Sequence, residues 1–292
     1  MDILRTVVEL RHWSRGLREW SRALGLQAVT EGGNLLGLVP TMGALHAGHA
    51  SLIRLARKSC GYVAVSIFVN PTQFGPTEDF ARYPRAFDED CALAHAEGAT
   101  VVFAPAVEEM YPPGASTLVD VAGLSRRLDG ASRPGHFQGV ATVVAKLLIA
   151  SEADCAFFGQ KDAAQVAVIR RLAADLRLAT RIVICPIVRD HSGLALSSRN
   201  VYLDLAERIQ ARVLRQTLIS VESLVAQGER RAQTLLAAAH QTFATVPEVR
   251  IDYIELVHPD TLLPVESAVP GTLLALAAYV GKTRLIDNTI LP

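Results

Sequence analysis

The 292-residue chain has no net charge, 29 basic residues balancing 29 acidic ones. Proteins that grip tRNA or DNA show a basic excess or a basic face, so the totals argue against a nucleic-acid partner and for small-molecule substrates. Cysteine is scarce: Cys60, Cys91, Cys155 and Cys185 lie far apart and form no C-x-x-C pair. That excludes a disulfide framework or a zinc ribbon and suits thiols of a reducing compartment. The N-terminus turns charged by Arg5, without the apolar core of a secretory leader. No apolar run reaches the length of a membrane span, and the longest, Gly139 to Ala150, is broken by Lys146. A cytoplasmic protein away from the membrane is expected. Neither a Walker A loop nor G-x-G-x-x-G occurs, which excludes the P-loop and dinucleotide-binding readings. Repeats and low-complexity tracts are absent.

What is present is a chain half hydrophobic, near the size at which one core divides into two. Apolar runs Leu36–Val39, Tyr62–Val69, Thr100–Pro105, Cys155–Gly159 and Thr180–Val188 read as strands. Between them Ala50–Lys58, Gln138–Ser151 and a stretch from an Asp162 cap to about Leu176 read as helices. Asp79 to Gly98 is helix-permissive but interrupted by Pro84. Alternation of this kind predicts an α/β fold, a Rossmann-like doubly wound parallel sheet. After Asn200 the order changes. Two amphipathic helices, Leu203–Gln227 and Arg230–Thr245, precede the alternating runs Arg250–Val257, Thr272–Val280 and Arg284–Asn288. That order predicts a second, smaller α+β domain with an antiparallel sheet. The boundary falls at Val188–Arg189, giving domains 1–188 and 189–292.

Chemistry-bearing residues collect where predicted strands end, the ligand edge of an open α/β sheet. Met42–His49 follows the first strand and precedes a helix, so His46 and His49 sit beside the free amides of a helix start, where anions bind. Asn70–Pro71–Thr72–Gln73 follows the second strand; it reads either as a substrate-reading turn or as a simple chain reversal. Gly159–Gln160–Lys161–Asp162 places an ammonium at another helix start, with Gln165 pointing back toward the strand ends. Leu196–Ser197–Ser198–Arg199–Asn200 offers two hydroxyls and a guanidinium, fit for a phosphate or carboxylate, although Ser and Asn also cap helices. Gly130–Phe137 reads as either a lid or an ordinary surface loop. Asp88–Glu89–Asp90 reads as a magnesium site or a solvated helix face.

Together these segments, with Arg82–Tyr83–Pro84–Arg85 and Arg284–Leu285–Ile286–Asp287–Asn288, closely resemble the pantothenate synthetase (pantoate–β-alanine ligase) family of the H-x-G-H nucleotidyltransferases, in order over nearly the whole chain. The resemblance implies an ATP-dependent ligase of pantothenate biosynthesis, acting through pantoyl adenylate with Mg²⁺ beside ATP, in a homodimer. It implies that Met42, Gly43, Ala44, Leu45, His46, Ala47, Gly48 and His49 bind ATP, as do Gly159, Gln160, Lys161, Asp162, Val188, Leu196, Ser197, Ser198 and Arg199. Catalysis is implied for His46, His49, Lys161, Ser197, Ser198 and Arg199. Gln73, Gln165, Met42 and Asn70 would hold pantoate and β-alanine. Glu89 and Asp90 match an acidic stretch that helps hold Mg²⁺ in related proteins, while Leu93 departs from it. Gln160 stands where an acidic residue is also common, with little consequence expected beside Lys161. Two other readings stand next to this one: a class I aminoacyl-tRNA synthetase core, opposed by the missing basic excess, and a nucleotide sensor without catalysis, opposed by the intact His46, His49, Lys161 and Arg199.

Overall fold

The computed structural model describes residues 1–23, 33–76, 78 and 80–292. The strands of the larger part are β1 (Asp2–Leu4), β2 (Leu36–Thr41), β3 (Tyr62–Ile67), β4 (Val101–Phe103), β5 (Cys155–Gly159) and β6 (Arg181–Cys185). They pair in the order β1-β4-β3-β2-β5-β6, every rung parallel. Its helices are α1 (Val7–Ala23), α2 (Ala47–Ser59), α3 (Phe87–Ala96), the short α4 (Val107–Met110) and α5 (Asp129–Ser132), α6 (His136–Ser151) and α7 (Ala163–Asp175). The inner strands β2, β3, β4 and β5 are largely apolar because both faces are covered. On one face Leu38, Ala64, Phe103 and Phe158 pack with Leu10 of α1, Val144 of α6 and Ile169 of α7. On the other, Val39, Val65, Val102 and Phe157 pack with Ile53 of α2 and Ala94 of α3.

The remainder is helical and then antiparallel: α8 (Leu205–Ala226), α9 (Ala232–Phe243), β7 (Val249–Val257), β8 (Leu273–Val280) and β9 (Thr283–Ile290). A separate core forms here, from Leu194 through Leu214, Leu218, Leu235 and Phe243 to Leu274 and Leu276. The smaller part is clamped to the larger through Asp129 of α5. Arg284 of β9 donates to Asp129 at 2.7 Å and to Asp252 of β7 at 2.7 Å, and the Tyr253 hydroxyl donates to Asp129 at 3.2 Å.

The expected fold class stands, with local differences. β1 and α1 carry no sequence prediction; Leu10 is the one apolar residue buried among the described α1 side chains, joined by Ser14, so its apolar stripe is thin. Pro84 delays α3 to Phe87, and Asp79, where the helix-permissive stretch begins, lies outside the described residues. Asp204 forms a capping box with Glu207, so α8 starts two residues after Leu203. Asp162 makes no capping bond to α7, correcting that expectation. Residues 130–137 span α5 and the start of α6. Arg133 there donates to Glu78 at 2.6 Å and to the Gln73 carbonyl at 3.2 Å, and His136 Nδ1 donates to the same carbonyl at 2.8 Å.

The contact of α6 with the Asn70–Gln73 turn requires Gly139. A Cβ there would stand 2.2 Å from the Thr72 carbonyl oxygen and 2.9 Å from Gln73 N. Gly139→Ala is expected to cost about 1–3 kcal/mol through forced displacement of that backbone. A urea-denaturation midpoint equal to that of the parent chain would contradict the contact.

Candidate active site

The order of the large sheet reverses at β2, which lies between β3 and β5, and the crevice at that reversal is where an open α/β sheet binds ligands. β2 ends at Thr41, and the chain turns into α2 through Gly43 at φ +82° and Ala44 at φ +51°. That is natural for glycine and strained for alanine. The turn is held from α3 by Asp90, 3% exposed, whose carboxylate accepts from Ala44 N at 2.9 Å and Leu45 N at 2.6 Å. Burial raises the Asp90 pKa and the two amide bonds oppose that rise.

His46 is the N-cap of α2. Its Nδ1 accepts from Gly48 N at 3.1 Å, and its own N–H donates to His49 Nδ1 at 3.3 Å. The three-residue spacing is that of a capping box. Several amides of this turn and helix start are therefore already taken: those of Ala44, Leu45, His46 and Gly48 donate to side chains. A tight turn leaves such groups without backbone acceptors, and buried donors take side-chain partners instead. The chemistry passes to the rings. Each Nδ1 accepts a backbone N–H, so each neutral ring carries its proton on Nε2. The rings lie 4.2 Å apart and present two N–H donors as a pair. Burial first, then the Lys161 ammonium, holds His46 down at about 4; burial, then His46, then Lys161, holds His49 down at about 3.

Lys161 comes from the turn between β5 and α7, its Nζ 3.7 Å from Asp162 Oδ1. The third contribution follows β6. Ser197 Oγ accepts from Arg199 N at 3.2 Å and caps the turn Ser198–Tyr202, while Ser198 Oγ lies 3.4 Å from the Tyr83 hydroxyl. Here the capping and functional readings of the serines coexist. All of these residues meet at a cavity of about 210 Å³, lined by Met42, His46, Gly48, His49, Gln73, Gly159, Lys161, Asp162, Gln165, Val188, Leu196, Ser197, Ser198 and Arg199. A wider cleft of about 900 Å³ shares Lys161, Asp162, Gln165, Ser197 and Arg199 with it and opens toward the smaller part.

Other expected site residues are close but do not line the cavity. Gly43, Ala44 and Leu45 shape the histidine turn, Ala47 faces solvent, and Gln160 turns toward β9. Asn70 is fully buried behind Gln73: its Nδ2 donates to Gln73 Oε1 at 2.9 Å and to the Gly139 carbonyl at 3.2 Å. Its Oδ1 accepts from Thr72 N, Thr72 Oγ1 and the Tyr111 hydroxyl. Glu89 is exposed on α3, and Asp90 is spent on the turn. The sequence reading misses the apolar wall of Val140, Val143, Val144 and Leu147, and with it Tyr83. The signal for the wall was there: α6 is apolar on nearly every side, more than a helix covering one sheet face requires.

A parallel α/β sheet thus sets paired histidines at its switch point, facing a lysine turn across one crevice, the arrangement of an enzyme site for an anionic ligand. A family model described as pantoate-beta-alanine ligase matches residues 2–290. The chain is 54% identical over 286 residues to the pantothenate synthetase of Acidobacterium capsulatum, covering 98% of this chain and 95% of that one. It is 52% identical to that of Koribacter versatilis, over 100% of this chain and 96% of the relative. The crystal structure of pantothenate synthetase from Thermus thermophilus matches with a TM-score of 0.90 at 44% identity, over 100% of both chains. That of pantoate-beta-alanine ligase from Francisella tularensis, complexed with beta-gamma ATP and beta-alanine, matches with a TM-score of 0.73 at 31% identity, covering 99% of this chain and 97% of that one. The chain belongs to the pantoate–β-alanine ligase family. Its activity is that of the family, the ATP-dependent condensation of pantoate with β-alanine in pantothenate biosynthesis.

The partly buried histidines give a pH test. His136 is also held down at about 4, first by burial and then by Arg133. With His46 and His49 at about 4 and about 3, the folded chain declines protons that the unfolded chain takes up below about pH 6.5. The unfolded state then binds more protons across the window from about 6.5 to about 4, so stability falls as pH falls through it. Urea midpoints should decline from about pH 7 to about pH 5, and less steeply in His136→Gln. An identical pH slope in the variant would remove His136 from this account.

Proposed function

We propose that (R)-pantoate, ATP and β-alanine react in this crevice in two steps. A carboxylate oxygen of pantoate attacks the α-phosphorus of ATP, the bond from that phosphorus to the bridging oxygen breaks, and pyrophosphate leaves. The amine of β-alanine then attacks the acyl carbon of pantoyl adenylate, the acyl–oxygen bond breaks, AMP leaves, and the amine proton passes to solvent. The observation that carries this reading is the gathering of two Nε2–H donors, one ammonium and the Ser197–Ser198–Arg199 turn around a single cavity.

His46 and His49 would donate to the phosphates, His49 favouring departure of pyrophosphate. Being neutral, they stay donors throughout the neutral range. Lys161 would bring a full charge to the α-phosphate as negative charge builds there, in a half-buried site where that charge is weakly screened. Ser197, Ser198 and Arg199 would hold the phosphates, with Gly159, Asp162, Val188 and Leu196 on the adenosine side. Gln73 and Gln165 would grip the oxygens of pantoate beside Met42, Asn70 would steady Gln73 from behind, and the Val140–Leu147 wall suits pantoate's two methyl groups. The wider cleft gives β-alanine a route to the adenylate while the inner cavity keeps water from the mixed anhydride.

Glu89 and Asp90 do not fit a resident metal. Both oxygens of Asp90 accept backbone N–H groups, and no three His, Cys, Asp or Glu side chains gather as a metal cage among the described residues. Mg²⁺ belongs to the reading as the companion of the triphosphate, retaining its waters. We divide the chain into a nucleotide- and pantoate-binding domain, 1–188, and a covering domain, 189–292, in keeping with a second core that begins at Leu194. A cytoplasmic location is supported by four free thiols; no helix among the described residues is long and apolar enough to cross a membrane. A homodimer completes the reading. Val201 in the turn Ser198–Tyr202 and Leu205 and Ile209 on α8, each more than half exposed, offer apolar surface that a second copy would cover, and light scattering at micromolar concentration tests it.

Pyrophosphate should appear only with pantoate and ATP together, and AMP only after β-alanine is added; release driven by an amino acid and tRNA without pantoate would overturn the substrate assignment. Lys161→Ala should fold with an unchanged circular dichroism spectrum and lose adenylate formation by about 100-fold or more. His49→Ala should slow adenylate formation while sparing attack on preformed pantoyl adenylate, and equal damage to both halves would remove its assigned role.

A further inference from the structure

Lys161 is a long, flexible side chain on a turn of three residues, and a charge placed on a moving phosphorus is useful only if its backbone is fixed. The turn is fixed from the smaller part of the molecule. Asn288, on β9 and 3% exposed, donates through Nδ2 to the carbonyl oxygens of both Gln160 and Lys161 at 2.9 Å, and its Oδ1 accepts from Gln160 Nε2 at 3.0 Å. Two carbonyl oxygens accept only, so the Asn288 amide has one workable orientation, and that orientation demands a donor at residue 160. Gln160 supplies it, whereas a glutamate there would set a carboxylate against the Asn288 oxygen. The support continues behind Asn288. Its own N–H donates to Asp287 Oδ1 at 2.8 Å, and Asp287, 2% exposed, is bonded through both oxygens by Arg189.

We propose that Asn288, matched to Gln160, is a positioning residue for adenylate formation: it holds the backbone of the lysine turn so that Lys161 reaches the α-phosphate. The expectation that Gln160 matters little is thereby reversed. The inference rests on the role given to Lys161 above, and its test separates the two. Adenylate formation is measured in a single turnover with excess enzyme, pantoate and MgATP, and aminolysis is measured separately from preformed pantoyl adenylate and β-alanine. Asn288→Ala should slow the first by about tenfold or more and the second by less than about twofold. In a Lys161→Ala background the same substitution should change adenylate formation by less than about twofold, because residues acting through one group are not additive. Gln160→Met, which removes only the donor, should show a smaller loss with the same dependence on Lys161 and serves if Asn288→Ala fails to fold. Equal losses in both half-reactions, or an equal loss with and without Lys161, would overturn the positioning role while leaving the lysine's own role intact. An undiminished rate in Lys161→Ala alone would instead strike the reading of Lys161.

Discussion

The active-site arrangement depends on two rungs of parallel pairing, Gly37 opposite Cys155 and Leu38 opposite Ala156. β2 and β5 are far apart in the chain, yet this register ends them together, so the turn that carries His46 and His49 emerges beside the turn that carries Lys161. The rungs are crowded. A Cβ on Gly37 would lie 3.1 Å from Cys60 Sγ and 3.1 Å from the Phe157 ring, so a glycine is what lets α2 and β5 approach this strand. With any other register the paired imidazoles and the ammonium would face different parts of the surface. The ammonium is near enough to the rings to help keep them unprotonated, and their joint chemistry follows from that proximity.

The site is built by using up backbone donors rather than exposing them. Asp90 and the two histidines absorb four amides of the β2–α2 turn. That use locks the imidazole tautomers and leaves side-chain donors facing the crevice. Rotatable groups are thus fixed by their neighbours: the rings by backbone amides and the Gln73 side chain by Asn70, while the main-chain carbonyls of Lys161 and Gln73 are held by Asn288 and by Arg133 with His136. The same economy explains why buried polar residues such as Asn70, Asp90 and Asn288 collect behind the crevice without lining it.

Much of this was legible in the sequence. Long apolar runs such as Tyr62–Val69 gave up their strands because a doubly covered strand has no polar face to disguise it. The shift to alternation at Arg250–Val257 marked the antiparallel sheet for the opposite reason. Short edge elements escaped: β1 has three residues, and α1 follows it with too narrow an apolar stripe to stand out. In the site, residues bearing His, Lys, Arg and Ser at strand ends were found because position and chemistry agreed. The roles of Asp90 and Asn288 were not, since both act through backbone groups brought to them from 45 to 128 positions away, and no local pattern announces such a partner. The free-amide expectation was narrowed likewise: a sequence shows where a helix begins but not which distant carboxylate takes the amides of the turn before it.

The Asn70–Gln73 pair carries one more consequence. Thr72 N can only donate, so Asn70 must offer it oxygen and turn its own nitrogen toward Gln73, which in turn must answer with oxygen. The Gln73 nitrogen is the atom left over, at the wall of the cavity. A side chain free to flip would greet hydroxyls, carboxylates and amines alike. This one has had its polarity chosen by a main-chain N–H two links away, so at this point the wall offers a donor that an oxygen can accept and an ammonium cannot.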